Sequence, residues 1–281
     1  MPQTLKSLKT PLRYPGGKSR ALANLFRFLP DLSQATEYRE PFLGGGSVAL
    51  EVTKRYPGID IWVNDLYEPL YNFWRVLQDE GARLHDTLNQ LKHRHCEPVS
   101  AKVLFLEAKE YLGQDVRKTD SFQRAVSFYI VNKCSFSGLT ESSSFSQQAS
   151  ESNFSLNGIA KLKDYQALIG NWRITNLSYE YLLTDDKKVF TYLDPPYEIK
   201  DNLYGRKGSM HKGFNHDHFA IKCDRFVGPQ LISYNNSQLI KDRFKGWTAA
   251  EFAHTYTMRS VGSYNTDQAE RKELVLFNYE V

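Results

Sequence analysis

Glu40-Pro41-Phe42-Leu43-Gly44-Gly45-Gly46-Ser47-Val48-Ala49 decides the fold class of this chain. Ahead of the glycines, Tyr38 to Leu43 reads as a strand; behind them, Ser47 to Tyr56 reads as a helix that stops at Pro57-Gly58. Gly44, Gly46 and Ala49 fit the spacing GxGxxG/A, in which glycines let a strand-to-helix turn approach a ligand closely. The next β-rich run, Ile59 to Val63, ends at Asn64-Asp65 and puts a carboxylate 21 residues beyond Gly44, where ribose hydroxyls need an acceptor. Strand, glycine turn, helix, strand and acid open an α/β nucleoside-binding unit. The spacing accommodates a dinucleotide and S-adenosylmethionine equally, and a glycine-rich turn without a ligand stays open at this point.

Toward the N-terminus, Ser19 to Leu29 carries Leu22, Leu25, Phe26 and Leu29 at helical spacing before Pro30, which predicts a helix. Pro15-Gly16-Gly17-Lys18-Ser19 imitates a phosphate loop, but GxxxxGK[ST] needs glycine where the chain has Leu12. It reads instead as a turn that sets Lys18 near an anionic group, or as a plain N-terminal turn. Toward the C-terminus the pattern changes at about residue 71. Phe73 to Leu91, Lys102 to Leu112 and Ser121 to Asn132 have helical periodicity, and a Ser/Gly/Asn-rich stretch, Ser135 to Gly158, follows. Within it, Ser142 to Ser152 reads as a loop or hairpin tip. Strand signals return in Val189 to Leu193, Leu231 to Tyr234 and Leu274 to Tyr279. Residues 1–70 and 173–281 therefore read as a largely parallel sheet with helices on both faces, interrupted by a mostly helical insertion, 71–172.

A hydrophobic share of 41% and an aromatic share of 14% exclude a disordered chain. No apolar run reaches the roughly 18 residues of a membrane-spanning helix, and Met1 to Thr10 is too polar for a secretory signal. Cys96, Cys134 and Cys223 form no CxxC pair and no disulfide framework. These features predict an intracellular protein, cytoplasmic or nucleoid-associated, with reduced thiols and no membrane partner. The net charge of +4 says less than its distribution. Lys6, Lys9, Arg13, Lys18, Arg20 and Arg27 come with no acid before Asp31, and Lys200, Arg206, Lys207 and Lys212 stand against Asp201 alone in 199–213. Such patches attract a phosphate backbone, with ordinary solvated surface as the competing reading. His93, His95 and Cys96, like His216 and His218, lack four-ligand spacing, so no metal is expected; a helix starts after Asn215.

Asp194-Pro195-Pro196-Tyr197, which ends the Val189 to Leu193 strand, carries the chemistry. The Pro-Pro step keeps the backbone extended and leaves the Pro195 carbonyl without a helical partner. Asp194 and that carbonyl can each accept a hydrogen bond from one amino group while Tyr197 stacks on a planar ring. An aromatic amine held for in-line attack suits the set. A strand-ending turn with a surface tyrosine is the plain alternative, and the surrounding motifs decide between them.

Taken in order, PLRYPGGKSR, EPFLGGGSVAL, NDLYEPL and LDPPY resemble the Dam-like family of DNA adenine methyltransferases, in the alpha group of S-adenosylmethionine-dependent amino methyltransferases. The resemblance spans nearly the whole chain. Asn132 to Leu139 is similar to the family's NRxxxNGL segment, Leu231 to Asn235 to its strand after DPPY, and Arg271 to Tyr279 to its closing strand RKxxELLxxNY. It implies a Rossmann-like methyltransferase sheet, with 71–172 as a DNA target-recognition domain bearing a β-hairpin. It implies that Tyr14 and Lys18 contact the methionine end of S-adenosylmethionine, with Lys18 neutralising its carboxylate. Glu40, Pro41, Phe42 and Gly44 would frame the cofactor loop, and Asp65 would hold the ribose. Asp194, Pro195, Pro196 and Tyr197 would be catalytic, with Asp194 also beside the cofactor.

An adenine inside a duplex must be flipped out at a cost of a few kcal/mol, of which stacking on Tyr197 can offset roughly 1–3 kcal/mol. Asp194 and the Pro195 carbonyl would draw the amino nitrogen toward tetrahedral geometry and free its lone pair, so direct displacement suffices without a metal, covalent intermediate or nucleophilic cysteine. The resemblance puts the sequence readers among Lys133, Ser135, Ser137, Glu141 and Asn157. Lys200, Arg206, Lys207 and Lys212, with Gly205, Gly208 and Gly213, are expected to form a mobile loop that closes over the base and meets phosphate. Where GATC-specific relatives carry an arginine after NGL, this chain has Glu141. A carboxylate cannot donate to guanine O6 and N7 but can accept from cytosine N4, so a target other than GATC is expected; a solvent-facing Glu141 is the alternative. Double-stranded DNA is the expected partner, joined by a cognate endonuclease if the chain serves a restriction–modification pair. Methylation of cytosine N4 or of RNA, and a DNA-binding relative without catalysis, are the other readings. Asp194 favours adenine by family pattern, and pure binding would need none of Lys18, Asp65, Asp194 and Tyr197.

Overall fold

The computed structural model describes residues 5, 7–136, 138, 143–197, 213–253 and 272–280. Seven strands form one sheet: β1 Glu37–Glu40, β2 Asp60–Asn64, β3 Arg173–Thr175, β4 Val189–Leu193, β5 Gln230–Asn235, β6 Thr248–Ala253 and β7 Lys272–Phe277. Their spatial order is β3-β2-β1-β4-β5-β7-β6. The first five pair in parallel, and β7 enters antiparallel between β5 and β6. Parallel neighbours need crossover connections, which the helices supply. These are α1 Leu22–Leu25, α2 Ser47–Arg55, α3 Glu68–Arg94, α4 Pro98–Leu112, α5 Ser121–Cys134, α6 Gln147–Ser152, α7 Leu156–Ala160, α8 Leu162–Ile169, α9 His216–Arg225 and α10 Gln238–Arg243. Strand order reverses between β1 and β4, so the glycine turn after β1 and DPPY after β4 open into one crevice, the usual ligand position in such sheets.

Strand alternation places helices on both faces, as the sequence predicts. Val275 and Phe277 of β7 join the larger core with Tyr38, Val63 and the helices of the 71–172 block. Leu274 and Leu276 point the other way, to Phe219, Ala220 and Cys223 of α9 and Ile240 of α10. The 71–172 block shares the larger core: Phe73 of α3 stacks on Tyr129 of α5, and Trp74 meets Trp172 with ring centres 5.7 Å apart. Position 71 falls inside α3, not between elements. That helix bends at Glu80, whose φ of −130° is not helical. The Gln166 side chain of α8 fills the bend, accepting from the Ala82 N–H at 2.9 Å and donating to the Gln78 carbonyl at 3.3 Å.

Three local readings need correction. The helix expected over Ser19 to Leu29 is a 3₁₀ turn, Lys18–Arg20, followed by the single turn α1. Neither Gly17 nor Ala21 supplies a capping side chain, and Lys18 is drawn into the sheet by carboxylates. Within Ser142 to Ser152, expected as loop, Gln147–Ser152 is helix α6, because the Ser146 hydroxyl caps it by accepting from the Ala149 N–H. The expected hairpin is, among the described residues, one antiparallel bridge between Ser135 and Phe145. The helix after Asn215 is present, capped by that residue's side chain.

Candidate active site

The glycine turn is shaped by its own backbone. Gly44 has φ +51°, and a Cβ there would lie 2.9 Å from the Tyr14 ring. Its N–H donates to Asp65 Oδ2 at 2.9 Å, and the Tyr67 N–H donates to Oδ1 at 3.0 Å. Burial nonetheless pushes the Asp65 carboxyl up to about 6, outweighing both N–H bonds. The Trp74 indole donates to the Gly44 carbonyl at 3.1 Å, tying the turn to the start of α3. Above it opens a cavity of about 450 Å³, lined by Tyr14, Lys18, Glu40, Pro41, Phe42, Gly44, Asp65 and all four DPPY residues. Every cofactor and catalytic residue predicted from sequence is thus brought to one place. Burial pushes Glu40 up to about 8 even though the Tyr38 hydroxyl donates to it at 2.6 Å.

Asp194 is held by three hydrogen bonds from two side chains. Lys18 Nζ donates to Oδ1 at 2.8 Å and to Oδ2 at 2.7 Å, and Ser233 Oγ of β5 donates to Oδ1 at 2.9 Å. A carboxylate has about four acceptor positions. Both at Oδ1 are taken, and of the two at Oδ2 one remains, so far as the described residues go. The Asp194 side chain is 21% exposed, toward the cavity, whereas its neighbours Lys18 and Glu273 are sealed at 3% and 0%. Burial raises the Asp194 carboxyl above the ordinary carboxylate range, Lys18 opposing and Glu273 adding to the rise. Burial works to lower Lys18, but Asp194 and Glu273 more than reverse it, so its ammonium stands above the ordinary value.

The chain fits S-adenosylmethionine. The turn leaves no room for a Cβ, Asp65 just past β2 would offer an acceptor to a ribose, and Asp194 would offer a carboxylate to a cationic centre, whereas burial favours the neutral form of Glu40. Lys18, expected at the cofactor's carboxylate, is engaged here by Asp194, by Glu273 at 3.4 Å and by the Gly16 carbonyl at 3.0 Å. Tyr197 donates its hydroxyl to Glu273, and its ring centre lies 4.9 Å from Lys18 Nζ. Glu273 and Ser233 were missed from sequence. The signal for Glu273 was an acid heading the apolar run Leu274-Val275-Leu276-Phe277.

The proposed DNA readers fare unevenly. Ser135 is fully buried; its Oγ donates to the Asn132 carbonyl at 3.3 Å and accepts from the Gly138 N–H at 3.0 Å, so it closes a turn. Lys133 lies over the Tyr129 ring, and burial, with Arg13 nearby, lowers it to about 8. Asn157 is exposed on α7. Ser137, Glu141, Lys200, Arg206, Lys207 and Lys212 lie outside the described residues. The turn is tied to the segment that leads into Tyr14. Arg13 donates to the Ser135 and Phe136 carbonyls at 2.6 and 3.0 Å, and Asn132 Nδ2 donates to the Arg13 and Gly138 carbonyls at 2.7 and 2.9 Å.

Comparison with known proteins agrees with this geometry. Residues 14–259, from Tyr14 to beyond DPPY, match the family of D12 class N6 adenine-specific DNA methyltransferases. The chain is 25% identical to the type II methyltransferase M.MjaIII of Methanocaldococcus jannaschii, over 95% of this chain and 98% of that relative. It is 27% identical to a DNA N-6-adenine-methyltransferase of Escherichia phage P1, over 69% of this chain and 24% of the relative. It is 28% identical to a DNA adenine methylase of Vibrio cholerae, over 48% of this chain and 44% of the relative. The match spans both the glycine turn and DPPY, and the chain is a member of the D12 class of N6 adenine-specific DNA methyltransferases.

Proposed function

We propose that this S-adenosylmethionine-dependent adenine methyltransferase acts on a base flipped from double-stranded DNA, with Asp194 holding the amino nitrogen and the 71–172 block reading the flanking sequence. The observation that carries the reading is Asp194 itself: its side chain lines the cavity at 21% exposure and, among the described residues, its hydrogen bonds from Lys18 and Ser233 leave one acceptor position at Oδ2. An amino N–H fits that position, and the Pro195 carbonyl fits the second. Drawn by both, the nitrogen loses conjugation with the ring and gains a directed lone pair. When bound, S-adenosylmethionine supplies an electrophilic methyl group. Asp194, made more basic by burial, then takes the proton that the alkylated nitrogen must lose. Asp65 and the Gly44 turn hold the nucleoside, and the Tyr197 ring stacks on the extruded base. Fixed donors and acceptors lining the cavity account for rate through preorganisation.

The turn from Ser135 to Phe145, clamped by Arg13 and Asn132, would present the sequence readers, and Lys200, Arg206, Lys207 and Lys212 the phosphate contacts. Family membership favours adenine N6 over cytosine N4 and DNA over RNA. Long-read sequencing of DNA from cells expressing the wild type and Asp194→Ala tests both parts. The wild type should modify adenine at one motif other than GATC; the variant should leave no modified adenine while still binding S-adenosylmethionine. A fully active variant overturns the role of Asp194, and modified GATC overturns the argument from Glu141.

A further inference from the structure

Glu273 is a sealed carboxylate in a strand that is otherwise apolar and buried from Leu274 to Phe277. A charge so placed is costly unless it is paired, and among its partners are Lys18, which holds Asp194, and Tyr197, which ends the same DPPY motif. Lys18, which grips both Asp194 oxygens, lies 3.4 Å from Glu273, and the Tyr197 hydroxyl donates to it. We propose that Glu273 is a positioning residue for methyl transfer: one carboxylate on β7 fixes Lys18 against Asp194 and the phenol end of Tyr197, and so sets the amino-group acceptor and the stacking ring in a constant relation. Its side chain is 0% exposed and it is absent from the cavity lining, so it acts on the transfer through Lys18 and Tyr197. The inference rests on the assignment of Asp194 and Tyr197 to the transfer.

Its charge has a second effect. Asp194 is faced by Lys18 from the N-terminal turn, Tyr38 and Glu40 from β1, Tyr192 from β4, Ser233 from β5 and Glu273 from β7. Glu273 opposes the ionised form of Asp194, so removing its charge makes Asp194 more acidic.

The test is steady-state kinetics of Glu273→Gln, Tyr197→Phe and the double variant across pH, with Asp194→Ala alongside. Glu273→Gln keeps the shape and an acceptor oxygen. It should lower kcat by about ten- to a hundredfold, as expected for losing one charge-assisted bond. The loss should fall on kcat more than on KM for S-adenosylmethionine, since Lys18 keeps its bonds to Asp194 and the Gly44 turn is untouched. The acid limb of kcat should move to lower pH. The double variant should be no slower than the worse single one, because the two share one contact. A scaffold role alone would lower the melting temperature without moving the limb. Wild-type kcat with an unmoved limb in Glu273→Gln, or additive losses, overturns the proposal. Should Glu273→Gln not fold, Tyr197→Phe decides: it keeps the ring and must still lose rate, and unchanged kcat overturns the proposal. An active Asp194→Ala would instead bring down the site assignment itself.

Discussion

Asp65, proposed as the ribose acceptor, stands in a place that resists its charge. Burial lifts it from 3.8 to about 6, so below that pH the free enzyme loses the carboxylate proposed to hold the ribose. KM for S-adenosylmethionine should rise by about tenfold for each pH unit below the transition, as for any single required ionisation. Asp65→Asn should bind weakly at every pH and lose the limb; an unchanged limb would assign it elsewhere. The stability sign runs the other way. A carboxyl whose folded pKa is raised favours the folded state while protonated, so its contribution is full below 3.8 and lost as pH rises through about 6. Acid therefore weakens binding without unfolding the protein through Asp65, and the two are separable by measuring KM and melting temperature together. Asp65, Gly44 and Asp194 were legible because each sits at a strand end, where local pattern fixes its place. Glu273 was not: the residue that gives it meaning, Lys18, lies at the other end of the chain, and no spacing rule links them.

The bend in α3 shows what an element needs beyond periodicity. At Glu80 the helical ladder breaks, and Gln166 from α8 supplies the replacement bonds. Gln166→Ala should cost about 1–3 kcal/mol, the net worth of two hydrogen bonds lost at the bend. Gly81→Ala should cost a similar 1–3 kcal/mol by overpacking, since a Cβ there would lie 2.7 Å from Gln166 Cβ. In the double variant the losses should not add, because the alanine at 166 lacks the amide that satisfies the bend; urea unfolding reads all three. Additive losses would show that the two residues act apart. The long helices α3, α4 and α5 were legible because their apolar stripes repeat over several turns. Strand β3, three residues long, and β6, mostly exposed at the sheet edge, carry too little alternation to read. The short helices α6 and α7 hid in a serine-rich stretch because their serines are caps, a role that composition alone assigns to loops.

Across the molecule, one core runs from the sheet through α3 to α5 and α8. The sequence division at 71 and 172 followed a change of pattern, and the packing crosses it, with Trp74 touching both the glycine turn and Trp172. Unfolding should therefore be one transition. Tryptophan fluorescence, from Trp62, Trp74, Trp172 and Trp247, should superimpose on far-ultraviolet circular dichroism in urea; two separated transitions would mean that the helical block holds itself together. The insertion of β7 between β5 and β6 has a bearing on biosynthesis. A ribosome delivers both flanking strands before β7, so each must wait with an open edge for a partner still to be translated. A chain stalled before β7 already displays the glycine turn and DPPY but lacks the carboxylate that anchors Lys18. It is a nascent polypeptide that invites chaperone binding along its unpaired strands, and its competence to mark a genome arrives in one late step of translation.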